Sequence, residues 1–254
     1  MRGPARIGPN TRAVTRDGDA IGIELPVPFE PLRLVVLSAR AFRRVRVRKV
    51  VQAVKITRGF LGRGSGARDE RLPPGQYVTR RWPVLTAEAT PRISTEAWTF
   101  GVEGLVANAR TWSWDEMHAL PPSTYHGDIH CVTTWSRLGM TFSGVSVDTV
   151  LEAAAPLPGA THVLAFSHTG YTTNLSLADV TGGRAWIAWE ADGEPLPRAH
   201  GGPARLVVPH LYFWKSAKWI AGLRLLDHDE PGFWERNGYH DRGDPWLEQR
   251  YQGD

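Results

Sequence analysis

An abrupt change of composition near residue 70 limits what this chain can fold into. All 11 Trp lie at or after Trp82, all 6 Tyr at or after Tyr77, and all 9 His at or after His118. Aromatic side chains bury more area than any others, so the part of the chain able to close a large core begins near that point. Upstream the residues are rich in Arg and Pro with no strong hydrophobic period, and Gly59-Phe60-Leu61-Gly62-Arg63-Gly64-Ser65-Gly66 reads as a flexible linker. Residues 1–58 are expected to be a basic N-terminal extension, either disordered or the product of a misassigned start codon, and residues 59–254 a single domain.

The formal net charge of +4 suggests a nucleic-acid partner until it is divided by region. Residues 1–70 hold 15 of the 30 Lys and Arg and 6 of the 26 Asp and Glu, a net of +9; the remainder nets −5. The main domain is therefore mildly acidic and no nucleic-acid partner is expected for it. A binder acting through residues 1–70 alone would leave the aromatic, His-rich part without a role. No run of about 18 apolar residues occurs, so no membrane span is expected. Leu32-Arg33-Leu34-Val35-Val36-Leu37 is interrupted by charge, and Arg43-Arg44 is followed by more basic residues where an apolar export segment would stand. With one cysteine, Cys131, there is no disulfide framework. The chain is read as cytoplasmic.

From residue 71 the pattern is that of a mixed α+β domain. Trp98 to Gly104, Thr161 to Phe166, Ala204 to Val208 and Trp219 to Leu226 read as strands, and Asp128 to Trp135 as a buried strand. Ser113 reads as the N-cap of a short helix stopped by Pro121-Pro122, and Val147 to Ala155 as a helix.

Three segments could carry chemistry. Within Asp128-Ile129-His130-Cys131-Val132-Thr133-Thr134-Trp135-Ser136, a lone cysteine among apolar neighbours is ordinarily a small core residue. No second cysteine or HExxH supports zinc. In His200-Gly201-Gly202-Pro203-Ala204-Arg205, a Gly-Gly-Pro turn lets backbone N–H groups approach a ligand, and Arg205 could clamp an anion or simply pair with a carboxylate. In Tyr212-Phe213-Trp214-Lys215-Ser216-Ala217-Lys218-Trp219, aromatics alternate with lysines. That suits single-stranded nucleic acid, a phosphate or pterin pocket, or lysines snorkelling over an aromatic core. GxGxxG, GxxxxGK[ST] and GxSxG are absent.

Taken in order, these segments resemble the molybdopterin-binding domain of the sulfite oxidase family, in particular its bacterial branch of sulfite oxidase-like oxidoreductases without haem. The resemblance also draws on Leu72-Pro73-Pro74-Gly75-Gln76, Gly170-Tyr171-Thr172-Thr173-Asn174-Leu175, Gly232-Phe233-Trp234-Glu235 and Gly243-Asp244-Pro245-Trp246, and covers roughly residues 59–254. It implies a mixed, β-rich α+β fold with surrounding helices. It implies molybdenum held by one pterin dithiolene and the Cys131 thiolate, a soft ligand suited to such a centre. Arg205 and Lys215 would neutralise the pterin phosphate. His200, Thr172 and Thr173 would contact the pterin, Phe213 and Trp214 would line its pocket, and Thr133, Trp135 and Tyr171 would form the substrate wall.

The implied activity is two-electron oxygen-atom transfer on a small-molecule substrate, fed by an external electron-transfer partner, since no CxxCH haem motif is present. A non-catalytic molybdopterin carrier is the alternative. Two departures bear on the substrate. Val84-Leu85-Thr86-Ala87 stands where sulfite oxidases carry an Arg-Asn-His run, and the arginines that closely follow their cysteine are missing, Arg137 being the nearest. Sulfite and a neutral sulfoxide-type compound both stay open.

Overall fold

The computed structural model describes residues 72–254. The expectation of a basic extension over residues 1–58, and the linker reading, lie outside the described residues. Eleven strands follow in chain order: β1 (Tyr77–Val78), β2 (Thr99–Gly104), β3 (Arg110–Ser113), β4 (Ser123–His130), β5 (Trp135–Ser146), β6 (His162–Ser167), β7 (Thr172–Ser176), β8 (Trp186–Ala191), β9 (Glu194–Pro195), β10 (Arg205–Val207) and β11 (Ile220–Leu226). Four short helices join them: α1 (Trp114–His118), α2 (Val147–Ala154), α3 (Leu177–Val180) and α4 (Phe233–Arg236). The fold is α+β and dominated by strands. No helix among the described residues is long and apolar enough to cross a membrane.

The strands form two sheets. One runs β3-β2-β11-β6-β7; the other runs β1-β5-β8-β10, with β4 on β5 and β9 on β8. The twelve-residue β5 organises the second sheet. β4 pairs along one edge, while β1 (parallel, at Trp135 and Ser136) and β8 (antiparallel, from Phe142 to Ser146) divide the other. A bulge at Ser143/Gly144 brings β8 very close. A Cβ on Gly144 would lie 2.0 Å from the Ile187 carbonyl oxygen, so only glycine fits there.

Strand alternation then sorts residues to two cores. Val145, Ile187 and Leu206 point into a core shared with the first sheet, against Phe100, Val102 and Leu223. Met140, Phe142, Ala188 and Val207 point the other way, into a second core that contains Cys131 and Trp135.

The elements expected from pattern at Thr99–Gly104, Val147–Ala154, His162–Ser167, Arg205–Val207 and Ile220–Leu226 are present within a residue or so of their ends. Ser113 caps α1 in a capping box, its hydroxyl accepting from the Glu116 N–H while the Glu116 carboxylate accepts from the Ser113 N–H. Asp128 to Trp135 is not one strand. β4 ends at His130 and β5 begins at Trp135. The chain turns between them because Thr134 adopts a positive φ of 77° and its N–H donates to the Cys131 carbonyl at 3.0 Å. β8 and most of β5 are not among the elements the pattern singles out.

Candidate active site

The β4–β5 turn holds Cys131 at the margin of the second core, 7% exposed. Its backbone is fixed from three sides. The Cys131 N–H donates to Trp135 O at 2.9 Å, Gln76 Nε2 donates to Cys131 O at 3.1 Å, and Arg250 Nη1 donates to Val132 O at 2.5 Å. The Cys131 sulfur lies 3.2 Å from the Thr133 hydroxyl. Burial pushes the thiol pKa up, while the Thr133 hydroxyl and the Arg250 guanidinium pull it down. Beside it, Ser136 Oγ donates to Gln76 Oε1 at 3.3 Å and therefore accepts from His130 Nδ1 at 2.8 Å, which fixes the His130 tautomer.

Two buried donors in this region have no hydrogen-bond partner among the described residues: the Trp135 indole N–H and the Tyr212 hydroxyl. Trp135 shares the core of Cys131. Tyr212 is fully buried, with Gln76 near its hydroxyl but outside hydrogen-bond geometry and the Arg250 guanidinium 5.1 Å from its ring centroid. Leaving such groups unmade costs roughly 1–3 kcal/mol each, so both suit a ligand that supplies acceptors.

Across the same core lies a cluster of cations. Arg205 is 1% exposed and has no carboxylate partner among the described residues. Its guanidinium donates to the carbonyls of Leu206 (3.3 Å), His200 (2.8 Å) and Ser216 (2.7 Å), which uses three of its five N–H groups. Phe213 lies under it, 4.1 Å from guanidinium carbon to ring centroid. Lys218 donates to Leu85 O at 2.7 Å and Ala199 O at 2.8 Å, leaving one ammonium proton free.

Burial lowers the Arg205 pKa to about 9; burial, with Arg205 beside it, lowers that of Lys218 to about 7. His200 stacks on Trp82, ring centroids 3.8 Å apart, and burial, aided by Arg205, Lys218 and Arg137, pushes its pKa down to about 3. It is a neutral imidazole beside two cations, Arg205 and Lys218, that have no carboxylate partner among the described residues, as an anion site would be.

The remaining expected residues form a third group. Lys215 is completely buried, 2.7 Å from Glu235 Oε1, and donates also to Asn174 O (2.9 Å), Asn174 Oδ1 (2.6 Å) and Asp241 O. Four acceptors surround three protons, so Lys215 as arranged has none to offer a ligand. Thr173 Oγ1 donates to Glu235 Oε1 at 3.4 Å, and the Trp214 indole N–H donates to the same oxygen at 2.9 Å. Thr172 Oγ1 accepts from Arg236 at 3.3 Å. Trp214 stacks on Tyr212 and meets Tyr239 edge-on, each at 5.3 Å, and so links this group to the cysteine side. Tyr171 donates to Trp214 O at 2.7 Å, and burial drives its pKa far up.

Thus Cys131, Thr133 and Trp135 come together; His200, Arg205 and Phe213 come together; and Thr173, Trp214 and Lys215 stand around the buried Glu235, with Thr172 held by the adjacent Arg236. Sequence reasoning missed Lys218, Trp82, Gln76, Tyr212 and Arg250. Lys218 lies in the segment already singled out, and the choice between its two lysines turns on which one meets Glu235. Among the described residues no group of three or more His, Cys, Asp or Glu is placed to hold a metal.

The oxidoreductase molybdopterin binding domain family matches residues 87–234, more than half of the chain. The chain is 44% identical over 185 residues to the uncharacterized oxidoreductase YuiH of Bacillus subtilis, covering 72% of this chain and 93% of YuiH. It is 31% identical over 159 residues to the protein-methionine-sulfoxide reductase catalytic subunit MsrP of Gluconobacter oxydans, covering 55% of this chain but only 50% of MsrP. Its fold is similar to that of the sulfane dehydrogenase SoxCD of Paracoccus pantotrophus, with a TM-score of 0.51 at 21% identity over 55% of this chain and 41% of that one. The chain therefore belongs to the molybdopterin-binding oxidoreductases of the sulfite oxidase family, and its cofactor is molybdenum–molybdopterin.

Proposed function

We propose that this enzyme reduces a neutral sulfoxide-type compound by two-electron oxygen-atom transfer, with Cys131 as the protein's ligand to molybdenum. The bound cofactor would supply the two-electron redox centre at which oxygen is exchanged. Cys131 suits the ligand role because its turn is fixed at three backbone points, and a metal cation reverses the burial penalty on the thiolate. Arg205 and Lys218 would hold the pterin phosphate with the N–H groups they have left over. His200, neutral at physiological pH, would contribute hydrogen bonding without further charge. Trp135 and Tyr212 would donate to bound oxygen or nitrogen acceptors. Phe213 and Trp214 would wall the pocket. Thr172, Thr173 and Lys215 would act by positioning β7 and the Phe213–Lys215 turn around Glu235.

The observation that carries the neutral substrate is that, among the described residues, the arginines near the cysteine turn, Arg137 and Arg250, each have a carboxylate within 4 Å. Arg250 donates to Val132 O and Pro74 O and has Glu248 at 3.9 Å, and Arg137 is bound to Asp192 at 2.5 Å. A sulfite oxyanion would meet only carboxylate-paired arginines there, whereas a sulfoxide oxygen needs only hydrogen-bond donors. In this direction the sulfoxide oxygen leaves as water, consuming two electrons from an external carrier and two protons. The similarity to MsrP supports the same direction.

The test uses protein made in a host that produces molybdopterin. Molybdenum content near one per chain, reduction of methionine sulfoxide or dimethyl sulfoxide with reduced methyl viologen, and no sulfite oxidation are expected. Sulfite oxidation without sulfoxide reduction would reverse the substrate assignment, and metal loading without either reaction would favour the carrier alternative.

A further inference from the structure

The exposed apolar surface of the described residues is concentrated in one place. Of six large exposed hydrophobic side chains, five are Tyr77, Val78, Trp246, Leu247 and Tyr251; the sixth is Leu157, in the turn after α2. The five come from two segments that meet at the cysteine turn. Tyr77 pairs with Trp135, and its N–H donates to Thr134 O at 2.9 Å. Trp246 stands edge-on to His130 at 6.2 Å, and Tyr251 lies 5.3 Å from Tyr239. Arg250, between Leu247 and Tyr251, reaches both Val132 O and Pro74 O.

The charge around this patch leans toward arginine. Glu248 is matched by Arg250 at 3.9 Å and Asp244 by Arg242 at 3.6 Å, while Asp254 keeps its charge, held by the backbone N–H groups of Arg250 and Tyr251. Arg80 and Arg81, two and three residues after Val78, are exposed and have no carboxylate partner among the described residues.

We infer that this apolar patch with its arginine flank is where an acidic electron-transfer protein docks, delivering electrons at the cysteine turn. Clustered exposed apolar area marks an interaction surface, unmatched arginines select an acidic partner, and the site's edge is where an external donor must come. The inference rests on the oxidoreductase reading above.

The experiment compares full-length holoprotein with Val78→Ser/Leu247→Ser and Arg80→Glu/Arg81→Glu double variants, and with Leu157→Ser as a control. Dimethyl sulfoxide reduction is driven either by reduced methyl viologen, which needs no docking, or by reduced flavodoxin, an acidic one-electron carrier. Complex formation with flavodoxin is followed separately by sedimentation at low and high salt. Both double variants should keep viologen-driven turnover within about twofold of wild type, lose flavodoxin-driven turnover by about tenfold or more, and lose a salt-sensitive complex that Leu157→Ser retains. Equal loss with both reductants, or no loss with either, overturns the proposal. A wild-type dimer dissolved by Val78→Ser/Leu247→Ser would give the surface to a second copy. A defect confined to polypeptide-bound methionine sulfoxide would give it to the substrate. Each of these outcomes also overturns the proposal. If wild-type protein shows no viologen-driven turnover, the sulfoxide reading fails, and the sedimentation result still decides the docking surface by itself.

Discussion

Lys215 Nζ lies 2.7 Å from Glu235 Oε1, and neither side chain reaches solvent. Removing one member of such a pair strands the other as a buried charge, at a cost of about 3–5 kcal/mol. Lys215→Met is expected to lower stability by that amount, measured by urea unfolding of the cofactor-free protein. Lys218→Met should leave that stability nearly unchanged and instead lower the amount of pterin that co-purifies. The opposite ranking would return the phosphate contact to Lys215.

The Lys218 pKa of about 7 gives cofactor retention a pH dependence. The free site holds Lys218 protonated below pH 7, and a phosphate dianion favours the protonated form, so binding takes up a proton as the pH rises through that value. Pterin release measured by fluorescence should increase above pH 7, and Lys218→Arg should flatten the curve. In the cofactor-free protein the sign reverses. The unfolded chain holds the Lys218 proton up to the ordinary lysine range, so this group's contribution to stability rises with pH above 7.

Cys131→Ser should abolish the thiolate-to-metal absorption and lower turnover by at least about 100-fold, more than loss of an outer contact does. Because Cys131 sits in a turn at the edge of the second core, the cofactor-free variant should unfold within about 1 kcal/mol of wild type. Full turnover in Cys131→Ser would remove the ligand assignment.

Tyr212→Phe deletes a hydroxyl that has no partner within the described residues. Stability of the cofactor-free protein should stay the same or rise by up to about 1 kcal/mol, while turnover or pterin content falls about tenfold. A loss of stability with unchanged cofactor content would mean that the hydroxyl is bonded within the protein.

Much of this architecture is legible in the residues. The capping box at Ser113 and Glu116 and the alternation through Val163, Leu164 and Ala165 are local signals, and local signals survive without knowledge of the rest of the chain. The family resemblance pointed to Cys131, Arg205 and His200 through spacing. Where reading failed, the deciding contact was distant. Asp128 to Trp135 reads as one strand because nothing in its composition announces the positive φ at Thr134. Lys215 and Lys218 look equivalent until β7 brings Asn174, and α4 brings Glu235, against one of them. Trp82 belongs to an irregular stretch with no period, and its stacking on His200 joins residues 118 apart.

The cysteine turn is held by Gln76, 55 residues before it, and by Arg250, reaching Val132 from 118 residues after it. Contacts that remote form late, once the loops between them have closed. A nascent chain that has just extruded Trp135 owns its thiol but not the clamp around it. The clamp around the cysteine turn is complete only when the chain has been made as far as Arg250 and has folded back onto Val132.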